Sequence, residues 1–115
     1  MGHLVPCSLW YLATYEDVKI ARVNPLIHYL EIGWKEGRNP HPLFDTKWYL
    51  MKYKEVSEIG VEPLTHYLSV GWKEGKNPNS QFSTTQYITL HSLEEKTNPL
   101  VHYIQHEWNR NPNKE

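Results

Sequence analysis

Apolar positions recur along this chain in two alternating helical patterns. Between residues 45 and 60, Tyr49, Tyr53 and Val56 fall at i, i+4 and i+7, which places them on one face of a helix. Asp45 or Thr46 is suited to cap that helix, and Gly60 to close it; Ser8 caps the corresponding helix nearer the N-terminus. Further on, Leu64, Tyr67, Leu68, Gly71 and Trp72 occupy an arc of about 140° at 100° per residue, the expected core face of a second helix. That helix has a strong start signal in Asn24-Pro25 and Asn98-Pro99, a capping side chain followed by a proline whose missing N–H costs nothing. Glu62-Pro63 keeps the proline with a weaker cap. Gly33 and Gly71 sit inside the second helix, where glycine costs about 1 kcal/mol relative to alanine, so a close approach by another helix is expected there. Gly37 and Gly75 end the helices, and Asn-Pro at 39–40, 77–78 and 111–112 forces an extended exit.

These elements repeat. NPLIHYLEIGWKEGRNP (24–40) and EPLTHYLSVGWKEGKNP (62–78) agree at 12 of 17 positions with an offset of 38, and NPLVHYIQHEWNRNP begins at Asn98, 36 residues later. The preceding helix recurs as SLWYLATYEDV (8–18), TKWYLMKYKEV (46–56) and, more loosely, TTQYITLHSL (84–93). A period of 36–38 residues is that of stacked two-helix units. The expected fold is all-α, three tandem two-helix (αα-hairpin) repeats in a short solenoid-like array, with units at about 7–42, 43–80 and 81–115. Residues 1–6 read as the remnant of an expression tag.

Composition narrows the function. With 12 Lys+Arg against 13 Asp+Glu, the net charge is −1, which argues against a dedicated nucleic-acid binder. One cysteine, Cys7, excludes an internal disulfide framework and a Cys-based zinc cluster. No apolar run approaches the ~18–20 residues of a membrane span, and no signal-peptide pattern opens the chain. The 115 residues suit one domain burying roughly 65% of its unfolded surface.

The pattern NPLxHYLxxGWKEGRNPxPxFDxxWYL resembles the short tandem repeats attached to bacterial polysaccharide-assembly glycosyltransferases, including rhamnan-synthesis-type proteins. It is similar also to repeats of some large secreted, calcium-binding-type bacterial proteins. Phe44-Asp45, Trp48-Tyr49-Leu50, Asn24-Pro25-Leu26, His28-Tyr29-Leu30 and Gly33-Trp34-Lys35-Glu36-Gly37 carry the resemblance over about residues 7–112. It implies a non-catalytic module that scaffolds or recruits within a cell-surface polysaccharide glycosyltransferase, in the cytoplasm at the inner face of the bacterial membrane, with other domains of the parent protein as partners. Two alternatives are a carbohydrate-binding module that holds glycan through exposed Trp and Tyr, and a spacer repeat of a secreted adhesin-like protein. The third copy departs from the pattern at Gln86, His91 and Glu107.

Candidate contact residues follow from the repeats. Trp34, Trp72 and Trp108 lie at the edge of the core arc and are either packing residues or a stacking surface for sugar rings. His28, His66 and His102 recur once per unit; His66 lies about 200° from Leu64, so a packed or backbone-bonded histidine is the leading reading. His102 and His106 form the sole His-x3-His pair, enough for adventitious zinc or nickel. No GxGxxG, P-loop, HExxH or GxSxG pattern occurs, and no catalytic residue, cofactor or metal site is assigned. The polar substitutions of the third copy mark it as a capping end, whereas Trp10, Tyr11 and Tyr15 leave residues 8–18 as a sticky surface for self-association.

Overall fold

The computed structural model describes residues 7–94 and 96–108, with side chains described for 9–94 and 96–107. The described chain is predominantly helical and contains no strand. Helices α1 (Cys7–Thr14), α2 (Glu16–Ala21) and α3 (Pro25–Glu31) are followed by a 3-10 turn at Gly33–Glu36. Next come α4 (Thr46–Lys52), α5 (Lys54–Ile59) and α6 (Pro63–His66), the last continuing as a π turn at Tyr67–Gly71 and a 3-10 turn at Trp72–Glu74. Helix α7 (Thr84–His91) and α8 (Pro99–Tyr103) close the fold, with α8 running into a π turn at Ile104–Trp108.

The start signals of the later helices act as their sequences suggest, whereas Ser8, expected to cap the first helix, lies inside α1, which already begins at Cys7. Asn24 accepts from the Ile27 N–H at 3.0 Å, and Asn98 from those of Leu100 and Val101 at 2.9 and 3.1 Å. Asp45 and Ser83 cap α4 and α7 in the same way. Glu62 is a better cap than its type suggests: its carboxylate accepts from Leu64 N–H at 2.6 Å and Thr65 N–H at 2.9 Å, so the charged oxygens satisfy two orphan donors.

Two expectations require correction. The first helix of each unit is not continuous in the first two copies. It breaks at Tyr15 (φ −113, ψ 84) and Tyr53 (φ −112, ψ 80), both outside helical geometry. The cause is long-range: each hydroxyl accepts a hydrogen bond at 2.8 Å, Tyr15 from the Asn39 N–H and Tyr53 from the Asn77 N–H. The second correction concerns the leucines. Tyr67, Gly71 and Trp72 are buried and Leu64 is half-buried, but Leu68 is 41% exposed and Leu26, at the Leu64 position of the first copy, is 59% exposed, so the aromatic side of the predicted arc faces inward and part of its leucine side turns out.

The core is built largely from tyrosines. Tyr11, Tyr29, Tyr49 and Tyr67 are fully buried beside Phe44, Val18 and Val56. One cluster centres on Phe44, Tyr49, Tyr67 and Trp72; a second on Tyr11, Val18 and Tyr29, and Leu64 touches both. The joints between successive segments have counterparts 38 residues apart. Tyr29 Oη lies 3.3 Å from Thr46 Oγ1, and Tyr67 Oη lies 3.0 Å from Thr84 Oγ1. The Asn39 side-chain oxygen accepts from Thr46 N–H, as Asn77 does from Thr84 N–H, both at 2.8 Å.

The N-terminal aromatics take part in this packing to different extents. Of the aromatics expected to make residues 8–18 a sticky face, Tyr11 is buried and Trp10 and Tyr15 are half-buried against the same cluster. The exposed apolar side chains of that end are Leu9 and Ile20.

Candidate functional site

The recurrent histidines bond tyrosine side chains rather than backbone. His28 Nδ1 lies 2.9 Å from Tyr11 Oη, His66 Nδ1 3.0 Å from Tyr49 Oη, and His102 Nδ1 2.8 Å from Tyr87 Oη. Gly33 and Gly71 complete the first two of these sites, because a Cβ at either position would strike the tyrosine hydroxyl and touch the histidine ring. The close approach inferred from the glycines is therefore made by a side-chain hydroxyl of the preceding helix. Burial pushes the Tyr11 phenol up to about 12 and raises those of Tyr49 and Tyr87, so all three stay protonated. These pairs are half-buried fasteners between helices.

Trp72 is 6% exposed and belongs to the core, which removes its ring from contact with any glycan. Trp34 is half-buried against the Tyr11–Tyr29 cluster. Each has a lysine ammonium 5.8 Å from its ring centroid, Lys35 on Trp34 and Lys73 on Trp72. The side chain of Trp108 lies outside the described residues. The five described candidates thus do not converge: His28, His66, His102, Trp34 and Trp72 each serve the packing of their own segment.

A second recurrent set surrounds the Asn-Pro exits. Arg38 donates to both Asp17 carboxylate oxygens at 2.9 and 2.8 Å and lies 4.9 Å from the Tyr15 ring centroid. This hydrogen-bonded guanidinium holds the exposed Asp17 carboxyl down at about 2. Lys76 repeats the arrangement with Glu55, Glu74 and the Tyr53 ring. These ion pairs are structural clamps with their charges already matched.

The concave feature that sequence reasoning missed is an apolar groove of about 250 Å³. Pro25, Leu26, Leu64, Leu68, Leu100 and Ile104 are among the residues that line it. Gln105 and the buried His41 are its polar-capable members. His41 Nδ1 accepts from the Leu43 N–H at 3.0 Å, and burial lowers its pKa to about 4, so the groove presents a neutral imidazole near neutrality. The repeat pattern held the signal: Leu26, Leu64 and Leu100 occupy one position of three successive second helices, next to the prolines.

Among the described residues, no group of three or more His, Cys, Asp or Glu is arranged to hold a metal ion. No helix among them is long and apolar enough to cross a membrane. Comparison with family models, with curated proteins and with solved structures gave no match.

Proposed function

We propose that this chain is a non-catalytic helical repeat module, a short solenoid-like array of three two-helix units that scaffolds or recruits within a bacterial cell-surface polysaccharide glycosyltransferase. The observation that carries this reading is the recurrence of the same fasteners: Tyr–His within a unit, and Tyr–Thr and Asn–Thr between units, at the 38-residue spacing. Units that bury surface only against their neighbours form quasi-one-dimensional stacks whose function lies in an extended face. The resemblance of the repeat motif to glycosyltransferase-associated repeats supplies the parent enzyme, the cytoplasmic setting and the partner domains.

The alternative, a carbohydrate-binding module, draws less support. A sugar site needs polar groups aimed at hydroxyls beside an accessible ring. Here Trp72 is buried, and the groove is lined almost wholly by Leu, Val, Ile, Pro and aromatic carbon.

The test sets the two readings against each other. The purified chain and its Trp34→Ala variant are applied to an array of bacterial surface glycans, and the variants Leu26→Glu and Leu68→Glu are placed in the full-length parent. No glycan retention, together with loss of polymer assembly by well-folded groove variants, is the expected result. Glycan binding that Trp34→Ala abolishes, with groove variants fully active, would overturn the proposal in favour of the carbohydrate-binding reading.

A further inference from the structure

The third segment differs from the first two at the contact between its helices. His91 stands where Tyr15 and Tyr53 stand, and His106 where Ile32 and Val70 stand. In the fold both substitutions fall beside the recurrent histidine. The His106 ring stacks on His102 with centroids 4.2 Å apart and planes at 28°. The His91 ring lies 5.8 Å from His102 and stacks on Tyr87 at 4.1 Å. Three imidazoles from α7, α8 and the π turn thus gather where the other segments place one.

We propose that this cluster is an acid-sensitive latch: its protonation releases α8 and the following π turn from α7 and so dismantles one wall of the apolar groove. Leu100, Val101, Ile104 and Gln105 form that wall and are interleaved in the chain with His102 and His106. Packing that holds His102 among two other imidazoles and partly out of water favours its neutral form, so its protonation works against the stack. The groups acting on His102 are few. Burial lowers its pKa first, then His106 and His91; from the same π turn, Glu107 opposes them. From α7 the remaining titratable group is the Tyr87 phenol, which is neutral and raised by burial.

The direction follows from linkage. A histidine held neutral in the fold adds stability above its unfolded pKa of about 6.5 and loses it as pH falls below that value. The latch is closed at pH 7.5 and weakened in mildly acidic solution. Among the described residues these rings are not part of any group of three or more His, Cys, Asp or Glu arranged to hold a metal ion. The latch operates whatever partner the groove takes.

Hydrogen exchange read by mass spectrometry tests the latch, at pH 7.5 and 5.5 with chelator present and rates corrected for intrinsic pH dependence. The comparison is between the wild-type chain and a His91→Tyr/His106→Val double variant that restores the residues of the second segment. His41 is common to both chains, so its own titration cancels. In the wild type, residues 84–107 are expected to lose protection severalfold relative to residues 8–71 at pH 5.5, and the double variant should hold it. A uniform loss across the chain, no loss, or an equal loss in the variant would each overturn the proposal. Should the double variant be unfolded at pH 7.5, His106→Val alone is compared, with a smaller loss than wild type expected and an equal one overturning it.

Discussion

Adding one methyl group at Gly71 tests the packing logic of the whole fold. Gly71 has φ −58 and ψ −43, a conformation alanine adopts without strain, and alanine there should gain up to about 1 kcal/mol of helix propensity. Against that gain stands the Tyr49 hydroxyl, which occupies the space a Cβ would take, with His66 Nδ1 only 3.1 Å from the same point. Tyr49 is fully buried and hydrogen-bonded to His66, so its ring cannot swing aside without opening the core. Overpacking of this kind costs about 1–3 kcal/mol, and the net expectation for Gly71→Ala is a destabilisation of about 1–2 kcal/mol. The decisive arm is the double variant. Tyr49→Phe removes the obstructing oxygen at a cost of about 1 kcal/mol for the lost hydrogen bond. In that background Gly71→Ala should become neutral or stabilising, a coupling of about 1–2 kcal/mol in a double-mutant cycle. Urea titration followed by circular dichroism supplies all four stabilities. Additivity of the two substitutions, or stabilisation by Gly71→Ala alone, would show that the glycine is not kept for the tyrosine hydroxyl.

The buried His41 should make the chain acid-labile before its carboxylates titrate: with a folded pKa of about 4 against about 6.5 unfolded, its contribution is complete above pH 6.5 and declines as pH falls towards 4, on the order of 3 kcal/mol in all. Urea midpoints measured between pH 7.5 and 4.5 with and without His41→Asn, both in the His91→Tyr/His106→Val background, isolate this effect, and equal pH profiles would refute it. Asn77→Ala should cost about 1–2 kcal/mol, because the Thr84 N–H loses its acceptor at the start of α7. The loss should appear as faster hydrogen exchange at residues 84–91, and unchanged exchange there would show that the joint is held by the Tyr67–Thr84 pair alone.

Local signals in the sequence were legible, and distant ones were not. Asn24, Asp45 and Asn98 cap the helices they precede because capping is decided within three residues. The breaks at Tyr15 and Tyr53 were invisible, since the N–H groups that draw those hydroxyls out of the helix belong to Asn39 and Asn77, 24 residues on. Periodicity located the amphipathic arc around Tyr67 but could not orient it: tyrosine and leucine count alike as apolar, and only the core shows that the tyrosines go in and Leu26 and Leu68 stay out. That same ambiguity hid the groove. The histidine fasteners left a trace that could have been read. Tyr11 and His28, like Tyr49 and His66, are 17 residues apart and recur together, so a bonded pair was the economical reading of a repeated His beside a repeated Tyr.

The choice of tyrosine over leucine for the interior explains how such small units find one arrangement. A leucine core would fill the same space but slide freely from one docking register to another. Each buried tyrosine carries a hydroxyl that loses about 1–3 kcal/mol if left without a partner, so a misdocked unit is penalised at several points together. Tyr29 meets Thr46 and Tyr67 meets Thr84, while Asn39 and Asn77 fix the starts of the same following helices. Two polar pins per joint select the register, and aromatic area supplies the attraction. With the interior specified in this way, Leu26 and Leu68 are released from core duty, while Leu64 and Leu100 still pack against the aromatics. The exposed Leu26 and Leu68 can then join the flanks of Leu64 and Leu100 in lining one apolar groove.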